Sequence, residues 1–190
     1  MYAKYHTNAI VLGSTAQGEA DKRIVLFTRE FGLIRARATA LRREDSRMRY
    51  ALQHFSCARV SLVRGETGWR AVGALAQHSY TNISRGALSS FARIAQLVVR
   101  LVGEEEKNER LFILLESAQL AFASSDPEAI SRIELLCVAR ILHTLGYLSE
   151  SAVGVIYTDA LFAPQALEIV SQNRDTLLSS VNRALSETHL

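Results

Sequence analysis

Residues 33–41 read Leu-Ile-Arg-Ala-Arg-Ala-Thr-Ala-Leu, and this alternation decides the fold of the first half of the chain. Successive side chains of a β-strand point to opposite faces. Ile34 and the alanines at 36, 38 and 40 therefore share one face, and Leu33, Arg35, Arg37 and Thr39 share the other. Small apolar residues suit the crowded interior of a narrow barrel, and arginines suit its outside. The stretch predicts one strand of a small β-barrel.

The sequence on either side of this strand keeps a period near two as far as about Tyr80, with glycines at the turns. Phe55 to Val63 alternates in the same way, and Gly65-Glu66-Thr67-Gly68 is typical of a hairpin turn. A short helix is predicted between the third and fourth strands, at residues 46–52. Three strands, a short helix and two more strands is the order of an OB barrel. The predicted strands cover residues 8–12, 23–28, 33–41, 55–63 and 69–75.

From Ser84 onward the apolar period becomes helical. One helix is predicted to end at Gly103, a second to follow it, and a third to begin after Asp126-Pro127 and stop at Gly146. The third is apolar on nearly every side, which predicts a central buried helix, and Pro164 opens a final helical stretch. Residues 149–162 are ambiguous. The predicted core positions are Leu88, Phe91, Ala95, Val98 and Val102, then Leu111, Leu114, Leu115, Ala118 and Phe122, then Ile130, Ile133, Leu136, Val138, Ile141, Leu142 and Leu145, then Leu167, Val170, Leu177, Val181 and Leu185.

We therefore predict an α+β chain with two domains. Residues 1–80 form a five-stranded OB-fold barrel that binds nucleic acid, and residues 84–190 form an all-helical C-terminal domain. The boundary falls near residues 80–84.

Charge divides the chain in the same place. Residues 1–93 hold 15 Lys and Arg against 6 Asp and Glu, and residues 94–190 hold 7 against 13. The first part has a net charge of +9 and the second −6, although the whole chain is only +3. A basic β-rich half favours a polyanionic partner, and the acidic helical half favours a different one.

A cluster of basic side chains is the strongest sign of a binding site. Six arginines fall within residues 35–49, diluted only by Glu44 and Asp45. The planar guanidinium matches phosphate oxygens, and a row of such groups can follow a sugar-phosphate backbone. A solvated charged face is the alternative. The predicted nucleic-acid-binding residues are Lys22, Arg23, Arg35, Arg37, Arg42, Arg43, Arg47 and Arg49.

Aromatic side chains within the basic half could stack on bases. The candidates are Tyr2, Tyr5, Phe31, Tyr50, Phe55 and Trp69, although Phe55 and Trp69 are predicted to pack in the core. Tyr50, beside Arg47 and Arg49, is the best stacking candidate. No helix-turn-helix, zinc-finger or RNA-recognition motif indicates reading of a base sequence. Two alternatives stay open: a protein-interaction adaptor whose OB face is incidentally basic, and an RNA-binding OB module.

Nothing in the sequence indicates an enzyme. The five histidines lack metal-binding spacing, and no phosphate-binding glycine loop or nucleophile elbow is present. Cys57 and Cys137 are isolated and predicted to be reduced, as in a cytoplasm. Glu104-Glu105-Glu106 is interpreted as a charged surface turn, not a metal site. We predict no cofactor and no metal, and no apolar run reaches the length of a membrane span.

Several segments resemble the bacterial recombination mediators of the RecO family. The opening of the chain carries Ala9-Ile10-Val11-Leu12, Gly18-Glu19-Ala20-Asp21 and the run from Leu26 to Gly32. A loop containing Arg42, then Ser46, then Ala51-Leu52-Gln53-His54-Phe55, continue the similarity. In the helical half it is carried by Glu109-Arg110-Leu111-Phe112, Ile133-Glu134, Leu145-Gly146-Tyr147 and the ending Thr188-His189-Leu190.

This resemblance implies an N-terminal OB domain, a helical C-terminal domain and a non-enzymatic role in recombinational repair. It implies binding of single- and double-stranded DNA and annealing of complementary strands. It further implies that the chain works with RecR to load RecA on DNA coated by single-stranded DNA-binding protein. The acidic C-terminal tail of that coating protein docks on the helical domain in this family. Arg132 and Arg140 are the residues to which this role is carried over, against an alternative as ordinary surface arginines.

The chain departs from the family pattern in three places. The four-cysteine zinc site that many members carry after Leu-Gly-Tyr is missing, so no zinc is expected. The usual Lys-Gly-Ala-Arg is here Thr39-Ala40-Leu41-Arg42, which puts the local turn in question. The usual Gln-Pro-Phe is here Gln53-His54-Phe55.

Overall fold

The computed structural model describes residues 3–43, 46–78, 83–149 and 161–188. The chain divides into two units, one made of Met1–Thr81 with Leu101–Phe112 and the other of Asn82–Arg100 with Ile113–Leu190. Some residues of interest lie outside the described ranges: Tyr2, Glu44 and Asp45, most of the ambiguous segment 149–162, and His189 and Leu190. The same holds for residues 79–82, next to the predicted domain boundary.

Five strands of the first unit form a closed barrel in the order β1-β2-β3-β5-β4. Neighbouring strands are antiparallel except for β3 and β5, which pair in parallel. The prediction of a five-stranded OB-type barrel followed by helices is confirmed. The strands are β1 (Lys4–Gln17), β2 (Asp21–Thr28), β3 (Gly32–Ala38), β4 (Cys57–Gly65) and β5 (Gly68–His78).

The alternation along β3 is also confirmed. Ile34, Ala36 and Ala38 are fully buried in the barrel core, and Arg35 and Arg37 are exposed. Leu33, predicted on the outer face, is only 1% exposed. The segment Leu101–Phe112 covers Leu33 from outside. Within this segment, the Glu105 N–H donates a 2.8 Å hydrogen bond to the Leu33 carbonyl. Phe112 of the same segment stacks on the buried Phe27, with ring centroids 6.5 Å apart.

The predicted helix over residues 46–52 is wrong, because the connection from β3 to β4 consists of turns. The Arg49 N–H donates a hydrogen bond to the Ser46 carbonyl, and the Leu52 N–H donates one to the Met48 carbonyl. These bonds do not continue into the regular series of an α-helix. The connection instead closes one end of the barrel with the buried Leu41, Ala51 and Leu52. β4 begins at Cys57, later than predicted, since Phe55 adopts a left-handed φ of 65°.

Five α-helices follow in the described residues: α1 (Arg85–Leu101), α2 (Glu109–Ser124), α3 (Ile130–Thr144), α4 (Pro164–Gln172) and α5 (Arg174–Glu187), with a 3₁₀ turn at Pro127–Ala129 before α3. The predicted core of α2 is buried in full. Leu88 on α1 was predicted in the core but is 39% exposed. The final predicted stretch divides at Asn173, whose side-chain amide donates to the Ile169 carbonyl and ends α4.

The prediction of α3 as a buried helix is confirmed. Its residues from Ile133 to Leu142 include seven buried side chains, and it packs against α4 and α5. Gly146, with φ of 82°, allows the chain to turn away after Leu145. None of the described helices has the length and apolar character needed to cross a membrane.

Candidate nucleic-acid interface

A basic cleft of about 570 Å³ lies where the β3–β4 connection closes the barrel, and we call it the mouth cleft. It is built from three separate parts of the sequence, because Lys22 comes from β2, Arg42 from the turn after β3, and Arg49 from the following turns. Three of the predicted residues, Lys22, Arg42 and Arg49, thus come together, and each carries its charge on a partly or fully exposed side chain. The lining residues are Lys22, Leu41, Arg42, Arg49, Leu52, Gln53 and His54.

Backbone carbonyl groups hold Arg42 of the mouth cleft in place, and the strand direction of β2 sets the position of Lys22. The Arg42 N–H donates to the Ala20 carbonyl at 2.9 Å, and its Nη1 donates to the Gly18 carbonyl at 3.2 Å. Lys22 shares the face of β2 that carries the buried Ile24, so its side chain extends toward the end of the barrel interior.

His54 adds a titratable group that the sequence did not assign to this site. Its Nε2 lies 2.6 Å from the Ser14 hydroxyl oxygen. Partial burial lowers the pKa of His54, and the nearby positive charge of Lys22 lowers it further. His54 is therefore neutral near pH 7, and an anion in the cleft would favour its protonation.

A second basic cleft, of about 480 Å³, lies on the outer wall of the barrel, and we call it the wall cleft. The strand register places three arginines in one row, with Arg23 of β2 opposite Arg37 of β3 and Arg37 beside Arg70 of β5. Like charges at such neighbouring positions repel each other, so the row favours an anion. The lining residues are Gln17, Arg23, Arg35, Arg37, Gly65, Glu66, Thr67, Trp69 and Arg70.

Arg70 was missed by sequence reasoning. It lies outside the arginine-rich segment and follows Trp69 in an otherwise apolar strand. The parallel pairing of β3 with β5 brings it beside Arg37. The predicted strand order of an OB barrel was the signal that could have placed Arg70 beside Arg37.

The Asp21 carboxylate lies between the two clefts. Its Oδ2 is 2.6 Å from Arg37 Nη2, and its Oδ1 accepts a 2.9 Å hydrogen bond from the Ala40 N–H. That backbone hydrogen bond and the Arg37 guanidinium hold the pKa of Asp21 below its usual range. Asp21 therefore stays ionised at neutral pH.

The acidic run Glu104-Glu105-Glu106 contacts the barrel and is not a free surface turn. Glu104 Oε1 lies 2.5 Å from Arg35 Nε. Glu105 lies 2.9 Å from Arg64 Nη2 and accepts a hydrogen bond from Trp69 Nε1 at 3.2 Å. The run therefore neutralises arginines at the margin of the wall cleft, a relationship that the sequence did not predict.

The structure divides the eight predicted residues between these surfaces. Lys22, Arg42 and Arg49 line the mouth cleft, and Arg23, Arg35 and Arg37 line the wall cleft. Arg43 and Arg47 are exposed on the same connection but line neither cleft. Six of the eight predicted residues thus lie in two clefts, and the binding role of each residue stays a prediction.

The aromatic candidates also separate. Tyr5, Phe31 and Trp69 pack on one another, with ring centroids 5.1 to 5.6 Å apart, and Trp69 is only 6% exposed. Tyr50 is 74% exposed and follows the cleft-lining Arg49. The exposure of Tyr50 is what stacking on a base requires.

The two predicted partner-binding arginines of α3 differ in accessibility. Arg140 is buried, with 9% of its surface exposed. Arg132 is half-buried and its Nη1 donates to the Ser171 hydroxyl at 3.3 Å. Only Arg132 offers much of its side chain to a partner, and a docking role for either residue stays a prediction.

The chain is similar to known proteins over most of its length. A family model described as "Recombination protein O N terminal" matches residues 1–73. A DNA repair protein RecO of Pelotomaculum thermopropionicum is 34% identical over 144 residues, covering 73% of this chain and 55% of that protein. A DNA repair protein RecO of Dehalococcoides mccartyi is 30% identical over 172 residues, covering 80% of this chain and 68% of that protein. A DNA repair protein RecO of Desulfitobacterium hafniense is 27% identical over 184 residues, covering 93% of this chain and 66% of that protein.

The closed barrel, its two basic clefts and the helices that follow define an OB-type barrel protein with a helical second unit. Against the first relatives above, the chain spans between about half and two thirds of their length. The chain belongs to the RecO family of DNA repair proteins.

Proposed function

We propose that this chain is a recombination mediator without turnover chemistry. It binds single- and double-stranded DNA through the basic faces of its barrel and anneals complementary strands. With RecR it assists the loading of RecA on DNA coated by single-stranded DNA-binding protein, whose acidic tail docks near Arg132. Membership of the RecO family supports this proposal as a whole.

One observation carries the DNA-binding part of the proposal. Lys22, Arg42 and Arg49, from three separate segments, line a single cleft. Each can neutralise a phosphate, and the counterions released from the DNA then supply the free energy of binding. The bases are left unread, because the basic side chains recognise the backbone alone.

Fluorescence anisotropy of a labelled single strand, at two salt concentrations, tests the proposal. If about five phosphates are neutralised, the log–log slope of affinity against salt is near −3.5. The triple variant Lys22→Ala/Arg42→Ala/Arg49→Ala should lose most of the affinity. The matched control Arg59→Ala/Arg110→Ala/Arg183→Ala removes the same charge from exposed positions outside both clefts and should retain it.

Adding the complementary strand then tests annealing. The wild-type chain should accelerate duplex formation, and the triple variant should not. An affinity that does not change with salt, or equal loss in the control variant, would contradict the proposed mode of binding. A matched RNA strand that competes as well as DNA would favour the RNA-binding alternative.

A further inference from the structure

We propose that the two clefts hold two nucleic-acid strands at the same time, one in the mouth cleft and one in the wall cleft of a single barrel. This inference rests on the proposed function and deepens it. Annealing would then proceed through a complex of one chain with two strands, held side by side before they pair.

The first argument is that the two clefts are separate. Lys22 and Arg23 are consecutive in β2, so their side chains leave opposite faces of the strand. Lys22 lines the mouth cleft and Arg23 lines the wall cleft, and the two clefts share no lining residue among those the structure describes. The strand itself is the partition between them.

The second argument is the negative charge at the junction. One carboxylate oxygen of Asp21 binds Arg37 of the wall cleft. The other accepts a hydrogen bond from the N–H of Ala40, which directly precedes the mouth-cleft residues Leu41 and Arg42. A single phosphate backbone that crossed from Arg37 to the turn at Ala40 would run beside this carboxylate. Two strands, each confined to one cleft, avoid that repulsion.

The third argument is that the wall cleft has enough charge to hold a strand of its own, apart from the basic groups of the mouth cleft. The wall cleft presents Arg23, Arg37 and Arg70 across three adjacent strands, a width of about 10 Å at the usual strand spacing. Within the described ranges, no carboxylate lies within ion-pair distance of Arg23 or Arg70. The pair that Arg35 makes with Glu104 is exposed on both sides, and such pairs exchange readily for a phosphate.

Native mass spectrometry of the full chain with two short, non-complementary single strands tests the proposal. Oligonucleotides of about four nucleotides, the lower end of the site sizes of OB folds, are long enough to occupy one cleft and limit the reach of a single strand to the other. The wild-type chain should appear as one protein with two strands. The wall variant Arg23→Ala/Arg70→Ala and the mouth variant Arg42→Ala/Arg49→Ala should each appear with one.

Annealing rates provide the second readout. Both double variants should anneal complementary strands at least about tenfold more slowly than wild type, because each has lost one strand. The control Arg59→Ala/Arg110→Ala should keep both strands and the rate. A wild-type chain that binds one strand tightly and never two overturns the two-strand proposal but leaves the proposed function standing. A wild-type chain that binds no strand at low salt overturns both.

Discussion

The Asp21 carboxylate accepts a hydrogen bond from the backbone N–H of Ala40, at a residue whose φ is 53°. This left-handed conformation strains any side chain with a Cβ, and glycine adopts it without cost. The family's usual residue at the corresponding position is the glycine of Lys-Gly-Ala-Arg. Ala40 thus adopts in this chain a conformation that glycine favours, and its N–H is held by Asp21.

Replacing Ala40 by glycine should stabilise the barrel. Relief of the left-handed strain outweighs the added chain entropy, and we expect a gain of about 0.5–1 kcal/mol in the free energy of unfolding by urea. Ala16→Gly, at an exposed position of β1, is the control and should destabilise by a similar amount. Equal destabilisation by both changes would show that Ala40 is not strained.

Replacing Gly32 by alanine should destabilise the barrel strongly. A Cβ at Gly32 would lie 1.9 Å from the Glu106 carbonyl oxygen, and φ is 66°. Gly18 has the same φ with open space around it, so Gly18→Ala measures the backbone strain alone, at about 1 kcal/mol. Gly32→Ala should cost at least about 2 kcal/mol more, measured by thermal and urea unfolding. Similar losses for the two variants would mean that the segment Leu101–Phe112 can move aside.

His54 should make DNA binding depend on pH. The pKa of His54 is lowered in the free protein, and the negative charge of a phosphate in the mouth cleft raises it. The complex therefore takes up a proton when it forms. The affinity for a single strand should therefore increase as the pH falls from about 7.5 to about 6. His54→Gln should flatten this dependence, as followed by anisotropy, whereas an unchanged pH profile would exclude His54 from the interface. The same lowered pKa means that His54 opposes folding as the pH falls through 6.5.

Glu104→Gln should strengthen DNA binding. The change releases Arg35 from its ion pair and leaves one more cation to neutralise a phosphate. We expect a higher affinity at low salt and a log–log salt slope steeper by about 0.7 for a single strand. Glu128→Gln, an equal change of charge in the helical unit, should have little effect. If both variants gain equally, net charge alone is responsible.

Glu134→Gln should destabilise the helical unit. Glu134 binds Arg93 at 2.6 Å and accepts a 2.7 Å hydrogen bond from the buried Ser90 hydroxyl. Burial raises the pKa of Glu134, but the bonds from Arg93 and Ser90 more than offset this and lower it overall. We expect a loss of about 1–2 kcal/mol at neutral pH, measured by urea unfolding.

The stability that Glu134 contributes is fully present above the ordinary glutamate pKa of 4.5 and is lost as the pH falls below it. The difference between wild type and Glu134→Gln should therefore narrow on acidification. A difference that stays constant with pH would mean that the effect is one of packing, not of charge.

The sequence predicted the strands and the buried face of β3 because their period depends on neighbouring residues alone. It did not predict that Leu101–Phe112 returns to the barrel, since the contact of Glu105 with Leu33 joins residues far apart in the chain. For the same reason the alternation places Leu33 on the face opposite the core alanines but does not predict its burial.

The candidate site was predicted by composition but not by arrangement. Counting arginines between residues 35 and 49 identified the basic surface. Its division into two clefts depends on the opposite directions of Lys22 and Arg23 and on the parallel pairing that places Arg70 beside Arg37. The turns that replaced the predicted helix determine which arginines reach the mouth cleft, and their backbone hydrogen bonds are not encoded in hydrophobic periodicity.

The close packing of Glu106 on Gly32 has a consequence for the order in which the protein is made. All five strands leave the ribosome before the segment that covers Phe27 and Leu33 has been translated. A barrel that closes before then keeps an apolar wall open to water until residue 112 has emerged. The first unit is thus complete only once its cover has been translated, however early the barrel closes.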